Sequence, residues 1–96
     1  MFDKIRQMAE LKNQADQLKR ELDAAVVDVQ EVRGIRIAVT GAQKFKSVEI
    51  DETLLNAANK TRLEADLLRG LNAAIAKSQV LAAQKMKSVL PGFPGI

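Results

Sequence analysis

The sequence contains no cysteine, histidine, tryptophan or tyrosine. Without thiols it forms no disulfide and no thiolate metal site. Without imidazole it lacks the commonest catalytic acid/base and the commonest metal ligand. Its only aromatic residues are Phe2, Phe45 and Phe93, two of them near the termini. The core must therefore be built from Leu, Ile, Val, Ala and Met. No apolar run approaches the roughly 20 residues of a membrane span. The start, Met1-Phe2-Asp3-Lys4, runs straight into charged sequence and shows no apolar signal-peptide core. A soluble, cytoplasmic protein without membrane contact is expected. Catalytic patterns are also missing. Ser47 and Ser78 have no histidine to activate them, and Gly41-Ala42-Gln43-Lys44 lacks the glycine spacing of a phosphate loop. Glu49, Asp51 and Glu52 alternate at a strand end and read as solvated carboxylates. The expectation is a protein that is not an enzyme and takes no cofactor, metal or small-molecule substrate.

What is present is an order of segments. The 96 residues suit one domain, 1–96. A chain this short buries a small share of its surface, so pairing with a copy of itself is a natural remedy. Residues 3–25 read as a helix. Met8, Leu11, Ala15, Leu18, Leu22 and Ala25 step by three and four residues and share one side. Residues 26–51 hold most of the Val and Ile and read as three antiparallel strands. Val26-Val27-Asp28-Val29 favours strand over helix, with Val27 and Val29 on the covered face. Gly34 marks the next turn. Ile35, Ile37 and Val39 alternate with Arg36, Ala38 and Thr40, the mark of a sheet covered on one face. Gly41 closes that strand. In the third strand Val48 and Ile50 share a face while Phe45 is out of phase, which predicts a bulge near Lys46-Ser47.

Residues 52–56 read as a short helical turn and Asn56 to Lys60 as a polar break. Residues 60–89 read as a second long helix, with Thr61 as its cap and Glu64 as the capping-box partner. On a helical wheel Leu63, Leu67, Leu71, Ala74, Ile75, Ser78, Leu81, Ala82, Met86 and Val89 fall in a sector about 140° wide. The opposite side carries Ala73, Ala76, Val80 and Ala83 and is small and apolar in its middle. A helix apolar on two sides is expected to pack on both. Gly70 costs about 1 kcal/mol against Ala inside a helix, which close backbone approach would explain. Lys85 intrudes on the apolar sector and predicts exposed last turns. Pro91, Gly92, Pro94 and Gly95 end the helix in an irregular tail, residues 90–96. The core or dimer contact is expected to draw on Leu11, Leu18 and Leu22 of the first helix. From the sheet it takes Ile37, Val39, Val48 and Ile50, and from the second helix Leu67, Leu71, Ile75 and Val80.

Charge is unevenly spread. Residues 1–66 carry eleven basic and twelve acidic groups, whereas residues 67–96 carry Arg69, Lys77, Lys85 and Lys87 and no acid. A basic end on a nearly neutral body suits a polyanionic partner.

Ile37-Ala38-Val39-Thr40-Gly41-Ala42, followed by Ser47-Val48-Glu49-Ile50-Asp51-Glu52-Thr53-Leu54-Leu55, resembles the YbaB/EbfC family of bacterial nucleoid-associated proteins. The Met-Phe start, the Gln- and Lys-rich first helix, Lys85-Met86 and Leu90-Pro91-Gly92-Phe93 extend that likeness over essentially the whole chain. Thr40 stands where the family usually has Asn. The family's Gly-rich leader and longer Gly-rich hairpin are missing, with Gly34 alone at that turn. The resemblance implies an α+β fold: an α-β-β-β-α protomer with a three-stranded meander between two long helices, in an intertwined, tweezer-like homodimer. It implies a cytoplasmic, nucleoid-associated protein that holds double-stranded DNA and influences nucleoid organisation and gene expression. The cations placed to meet phosphates are Arg69, Lys77, Lys85 and Lys87 on the second helix and Lys4, Lys12 and Lys19 on the first. No recognition helix with Arg, Asn and Gln on one face is evident, so weak sequence preference is expected. Two other readings fit the element order: a protein–protein adaptor docking through the Phe93 tail, and a prefoldin-like helical clamp.

Overall fold

The computed structural model describes residues 2–89. Helix α1 (Phe2–Ala24) is followed by strands β1 (Val26–Val29), β2 (Ile35–Thr40) and β3 (Phe45–Ile50), then helix α2 (Lys60–Val89). The expected α-β-β-β-α order is the observed one. The strands form an antiparallel meander in the order β1-β2-β3, so β3 is an edge. The tail, Leu90–Ile96, with Pro91 and Phe93, lies outside the described residues.

Register explains the alternation seen in the sequence. Val29 pairs with Ile37 and Val27 with Val39, while Ile37 pairs with Val48 and Ile35 with Ile50. Directly opposed residues share a face, so Val27, Val29, Ile35, Ile37, Val39, Val48 and Ile50 all point to one side. The register shifts beyond Ala38, where Val39 pairs with Phe45 and Lys46 is the extra residue. This is the expected bulge, and it returns Phe45 to the apolar face. The other face is mixed, with Val26 exposed and Ala38 and Thr40 buried on it, and it carries the cross-strand pair Arg36–Glu49 at 3.8 Å. Both partners are well exposed, so its contribution is small.

Helix α2 lies across the apolar face of β1 and β2. Its small residues make the close approach: Gly70, Ala74 and Ser78 are its buried positions. A Cβ on Gly70 would stand 3.0 Å from Ile37 Cδ1. The core consists of Val29, Ile35, Ile37, Val39 and Ala74, with Leu63, Leu67 and Leu71 packed around it. Every residue of the apolar wheel sector of α2 is buried or half-buried. At the far end of the sheet the buried Ser78 hydroxyl donates to Thr40 O at 2.7 Å.

The two hairpin turns differ. Gly34 has φ of 91° and its place would bring a Cβ 2.8 Å from Leu54 Cδ1. After β2, Thr40 Oγ1 accepts from the N–H groups of Ala42 and Lys44, each at 3.2 Å. Its hydroxyl thus performs the local capping that an Asn carboxamide could supply there. Gly41 donates to Ala25 O at 3.0 Å and has Leu22 directly over it, with Leu22 O 3.3 Å from where a Cβ would sit.

Several expectations need correction. The stretch Asn56 to Lys60 is no open break: Ala57–Asn59 forms a second 3₁₀ turn that feeds directly into α2. Asn59 Nδ2 holds it by donating to Leu54 O at 2.8 Å. Helix α2 therefore begins at Lys60, and Thr61 lies inside it and does not cap it. Ile37 and Val39 are fully buried, and Leu18, Leu22, Ile50, Leu67, Leu71 and Ile75 are half-buried. Leu11, Val48 and Val80 are not core residues within one chain, being 61%, 44% and 58% exposed. Val48 faces the right way, but α2 does not extend over β3. Leu11 lies on the part of α1 that runs beyond the body.

Gly34→Ala should lower stability by about 1–2 kcal/mol, because the backbone there is left-handed and the space is filled. Ser78→Ala should cost about 1 kcal/mol for the lost buried hydrogen bond. Chemical denaturation monitored by circular dichroism checks both, and an unchanged midpoint would contradict the packing described.

Candidate nucleic-acid interface

Both helices leave the sheet at the same end. Helix α2 passes Ile37 at Gly70 and Thr40 at Ser78, so it runs along β2 and continues past it. From Ser78 to Val89 it extends roughly 16 Å further at the helical rise. Helix α1 delivers Leu22 to Gly41 at that same end and packs on α2. Its 23 residues span about 34 Å, and everything before Leu18 is exposed. The result is elongated, with extents of 68 × 21 × 16 Å.

Charge divides along this axis. Residues 2–24 carry five groups of each sign, and residues 25–76 carry seven of each. The whole net charge of +3 therefore comes from Lys77, Lys85 and Lys87. Lys85 and Lys87 stand beyond Ser78, on the part of α2 that departs from the sheet, and Lys77 stands beside Ser78 at the point of departure. Among the described residues none of them is in an ion pair. Lys77 and Lys87 are exposed and Lys85 is half-buried. Lys87 also lies in the last turn, where a cation complements the helix dipole.

The structure separates the remaining candidates from this group. Arg69 is exposed, but its guanidinium lies 3.7 Å from Glu31 Oε1 beside the Gly34 turn. It stands 16 positions before Lys85, about 24 Å along the helix. Lys4, Lys12 and Lys19 are all exposed on α1. They share that helix with five carboxylates, so they stand on a neutral surface. Arg6 and Arg20 belong to the same exposed set and were not singled out from the sequence. Lys44 and Arg62 are engaged by Asp23 at 3.9 Å and Asp66 at 3.8 Å.

One feature was invisible in the sequence. Lys77 and Lys85 flank an apolar groove between β1 and α2, lined by Ala25, Val26, Val27, Val80, Leu81 and Gln84. The groove joins residues about fifty positions apart, which periodicity within a single helix cannot reveal. At the opposite end of the molecule lies a polar cleft in which Glu31, Asp51 and Asp66 balance Arg33, Arg62 and Arg69. Balanced charge gives that cleft no preference for a polyanion. No cluster of acidic residues suited to a metal ion occurs among the described residues. No described helix is long and apolar enough to cross a membrane.

Taken together, a helix–meander–helix protomer carries its surplus positive charge on one protruding helix. The YbaB/EbfC DNA-binding family profile matches residues 1–93, and the chain belongs to that family. A nucleoid-associated protein of Flavobacterium johnsoniae is 31% identical over 94 residues, covering 93% of this chain and 87% of the relative. A nucleoid-associated protein of Dictyoglomus turgidum is 27% identical, covering 97% of this chain and 90% of the relative. One from Syntrophobacter fumaroxidans is 26% identical, covering 99% and 89% respectively.

Asp51 sets the junction between β3 and the 3₁₀ turns. Its carboxylate accepts from Thr53 N at 3.0 Å and Thr53 Oγ1 at 2.9 Å. The backbone bond first, and the hydroxyl bond second, lower its pKa below the usual 3.8. A depressed folded-state pKa stabilises the fold fully above pH 3.8, and that stabilisation is lost as pH falls through the lowered value. Asp51→Ala should therefore narrow the difference from wild type as an acid titration of stability proceeds below that point. A constant difference down to the lowest pH would contradict this assignment.

Proposed function

We propose that two copies of this chain form a homodimer that binds double-stranded DNA mainly through phosphates, with weak sequence preference. The observation that carries the reading is the placement of the entire net charge on Lys77, Lys85 and Lys87, at and beyond the point where α2 departs from the sheet. Lysine ammonium groups neutralise phosphate and release counterions without reading bases. Membership of a DNA-binding family supports the choice of polyanion. Exposed Lys4, Lys12 and Lys19 on α1 supply secondary contacts, and so does Arg69, whose solvent-exposed pairing with Glu31 is weak. The protein acts in the bacterial nucleoid, within the cytoplasm, where it influences nucleoid organisation and gene expression. The chain works as one domain, without catalysis and without a cofactor.

Pairing is supported by surface that one chain leaves open. Phe2, Ile5, Met8 and Leu11 on α1 are each more than 60% exposed, and Phe45, Val48 and Val80 also stand open. Scattered apolar residues are ordinary on a surface, but aligned rows point to a partner.

Gel-shift titration with unrelated duplexes at several salt concentrations tests the reading. Three lysines from each of two chains give about six phosphate contacts, so log affinity against log salt should fall with a slope near −5. The double variant Lys85→Glu, Lys87→Glu should weaken binding by about 100-fold or more for every duplex. A flat salt response, or unchanged affinity in that variant, would contradict phosphate-driven binding.

A further inference from the structure

Helix α2 stops while the apolar side of α1 that packs on it continues. The two helices pass each other antiparallel from one corner, where Leu22 meets Gly41 and Ser78 meets Thr40. Eleven positions separate Ser78 from Val89, and eleven separate Leu22 from Leu11. At equal rise per residue the last turn of α2 comes abreast of Leu11. Up to that level the contact is filled: Leu18 and Leu22 of α1 are half-buried, and so are Leu81, Ala82, Met86 and Val89 of α2. The same side of α1 runs on to Leu11 and Met8, which are 61% and 69% exposed. Ile5 and Phe2 turn away from it by about 60° at each three-residue step.

We propose that residues 90–96 seat on Leu11 and Met8 of the same chain and clasp α1 to the last turn of α2. The segment starts in the right place, directly after Val89 and level with Leu11. Its chemistry fits: Leu90-Pro91-Gly92-Phe93-Pro94-Gly95-Ile96 has no charged or polar side chain, so apolar burial is what can offset the entropy of ordering it. Its reach fits as well. Leu11 and Met8 span about 4.5 Å of helix, whereas seven residues extend to about 22 Å as a polyproline helix. Pro91-Gly92 is the pair that favours a type II turn, which holds its first and fourth residues within about 7 Å. Such a turn returns Phe93 beside Leu90 and over Leu11. The groove between β1 and α2 is a poorer seat. Its Leu81 lies eight positions back from Val89, about 12 Å along the helix, and its flanking Lys77 and Lys85 find no counter-charge in this segment. The clasp leaves Phe2, Ile5, Phe45, Val48 and Val80 open to a second copy. It also holds the turns of α2 that carry Lys85 and Lys87.

The chain has no cysteine, so paired cysteines report position while Leu11, Met8 and Phe93 stay in place. Gln7 is exposed beside Leu11 and Met8, and Asn13 is exposed on the opposite side of α1. Under mild oxidation Gln7→Cys with Pro94→Cys should close an intramolecular disulfide roughly tenfold faster than Asn13→Cys with Pro94→Cys, because docking raises the effective concentration on one side only. Equal rates would overturn the proposal. So would a faster link from Gln84→Cys in the groove, or a covalent dimer as the main product of the Gln7 pair, which would put the segment on the partner copy. In the cysteine-free protein, Phe93→Ala and Leu11→Ala should each speed amide exchange at residues 8–11 and 86–89 by about fivefold, and the double variant no further, with the sheet amides unchanged. Additive effects, or none, would contradict a direct contact. Circular dichroism checks that all three variants keep the fold.

Discussion

The close seating of α2 on β2 is the constraint from which the remaining architecture follows. Three small residues, Gly70, Ala74 and Ser78, let the helix lie against Ile35, Ile37 and Val39. The helix gives up about 1 kcal/mol of propensity at Gly70 to make that approach. Once seated, it runs along β2 and must project past the end of the sheet. The Ser78 hydroxyl fixes that departure point on Thr40 O. Leu22 over Gly41 brings α1 to the same corner. A shift in this contact would change the direction of both helices and leave the lysines without a defined position.

The same seating explains what is left uncovered. One helix cannot span three strands and also run along the middle one. It closes β1 and β2, and the apolar side of β3 remains outside. The sequence spends its charge in a matching way. Body and α1 are each neutral, so neither repels a second copy, and the surplus stands where the helix leaves the body. Under the proposed function, association and polyanion attraction fall to different parts of a small chain. The polar cleft at the Gly34 end, with equal numbers of carboxylates and guanidinium groups, stays outside both tasks.

Much of the fold was legible because its local signals are periodic. Every residue of the wheel sector of α2 lies on its covered side, although Gly70 and Ala73, outside that sector, are covered as well, and the phase break between Phe45 and Val48 put the bulge near Lys46-Ser47, where Lys46 is the extra residue. The alternation in Ile35–Thr40 identified the covered face. What escaped depends on neighbours distant in sequence. Val48 has the phase of a core residue, and phase does not say whether a helix reaches the edge strand. Arg69 reads as one more cation, and only the structure shows that it stands beside Glu31 at the Gly34 end, away from the lysines. Thr61 and Glu64 have the spacing of a capping box, but Asn59 bonding to Leu54 O starts the helix earlier. The resemblance in residues 37–55 named the family, while the separation of Lys77, Lys85 and Lys87 from the neutralised cations needed the structure.

The most direct measurement is sedimentation of the protein with a short labelled duplex, followed at separate wavelengths for protein and DNA. Two chains of this sequence should travel with each duplex at limiting protein. A particle of one chain and one duplex would contradict the account, since three lysines on a single helix would then suffice and the second copy would have no part in binding.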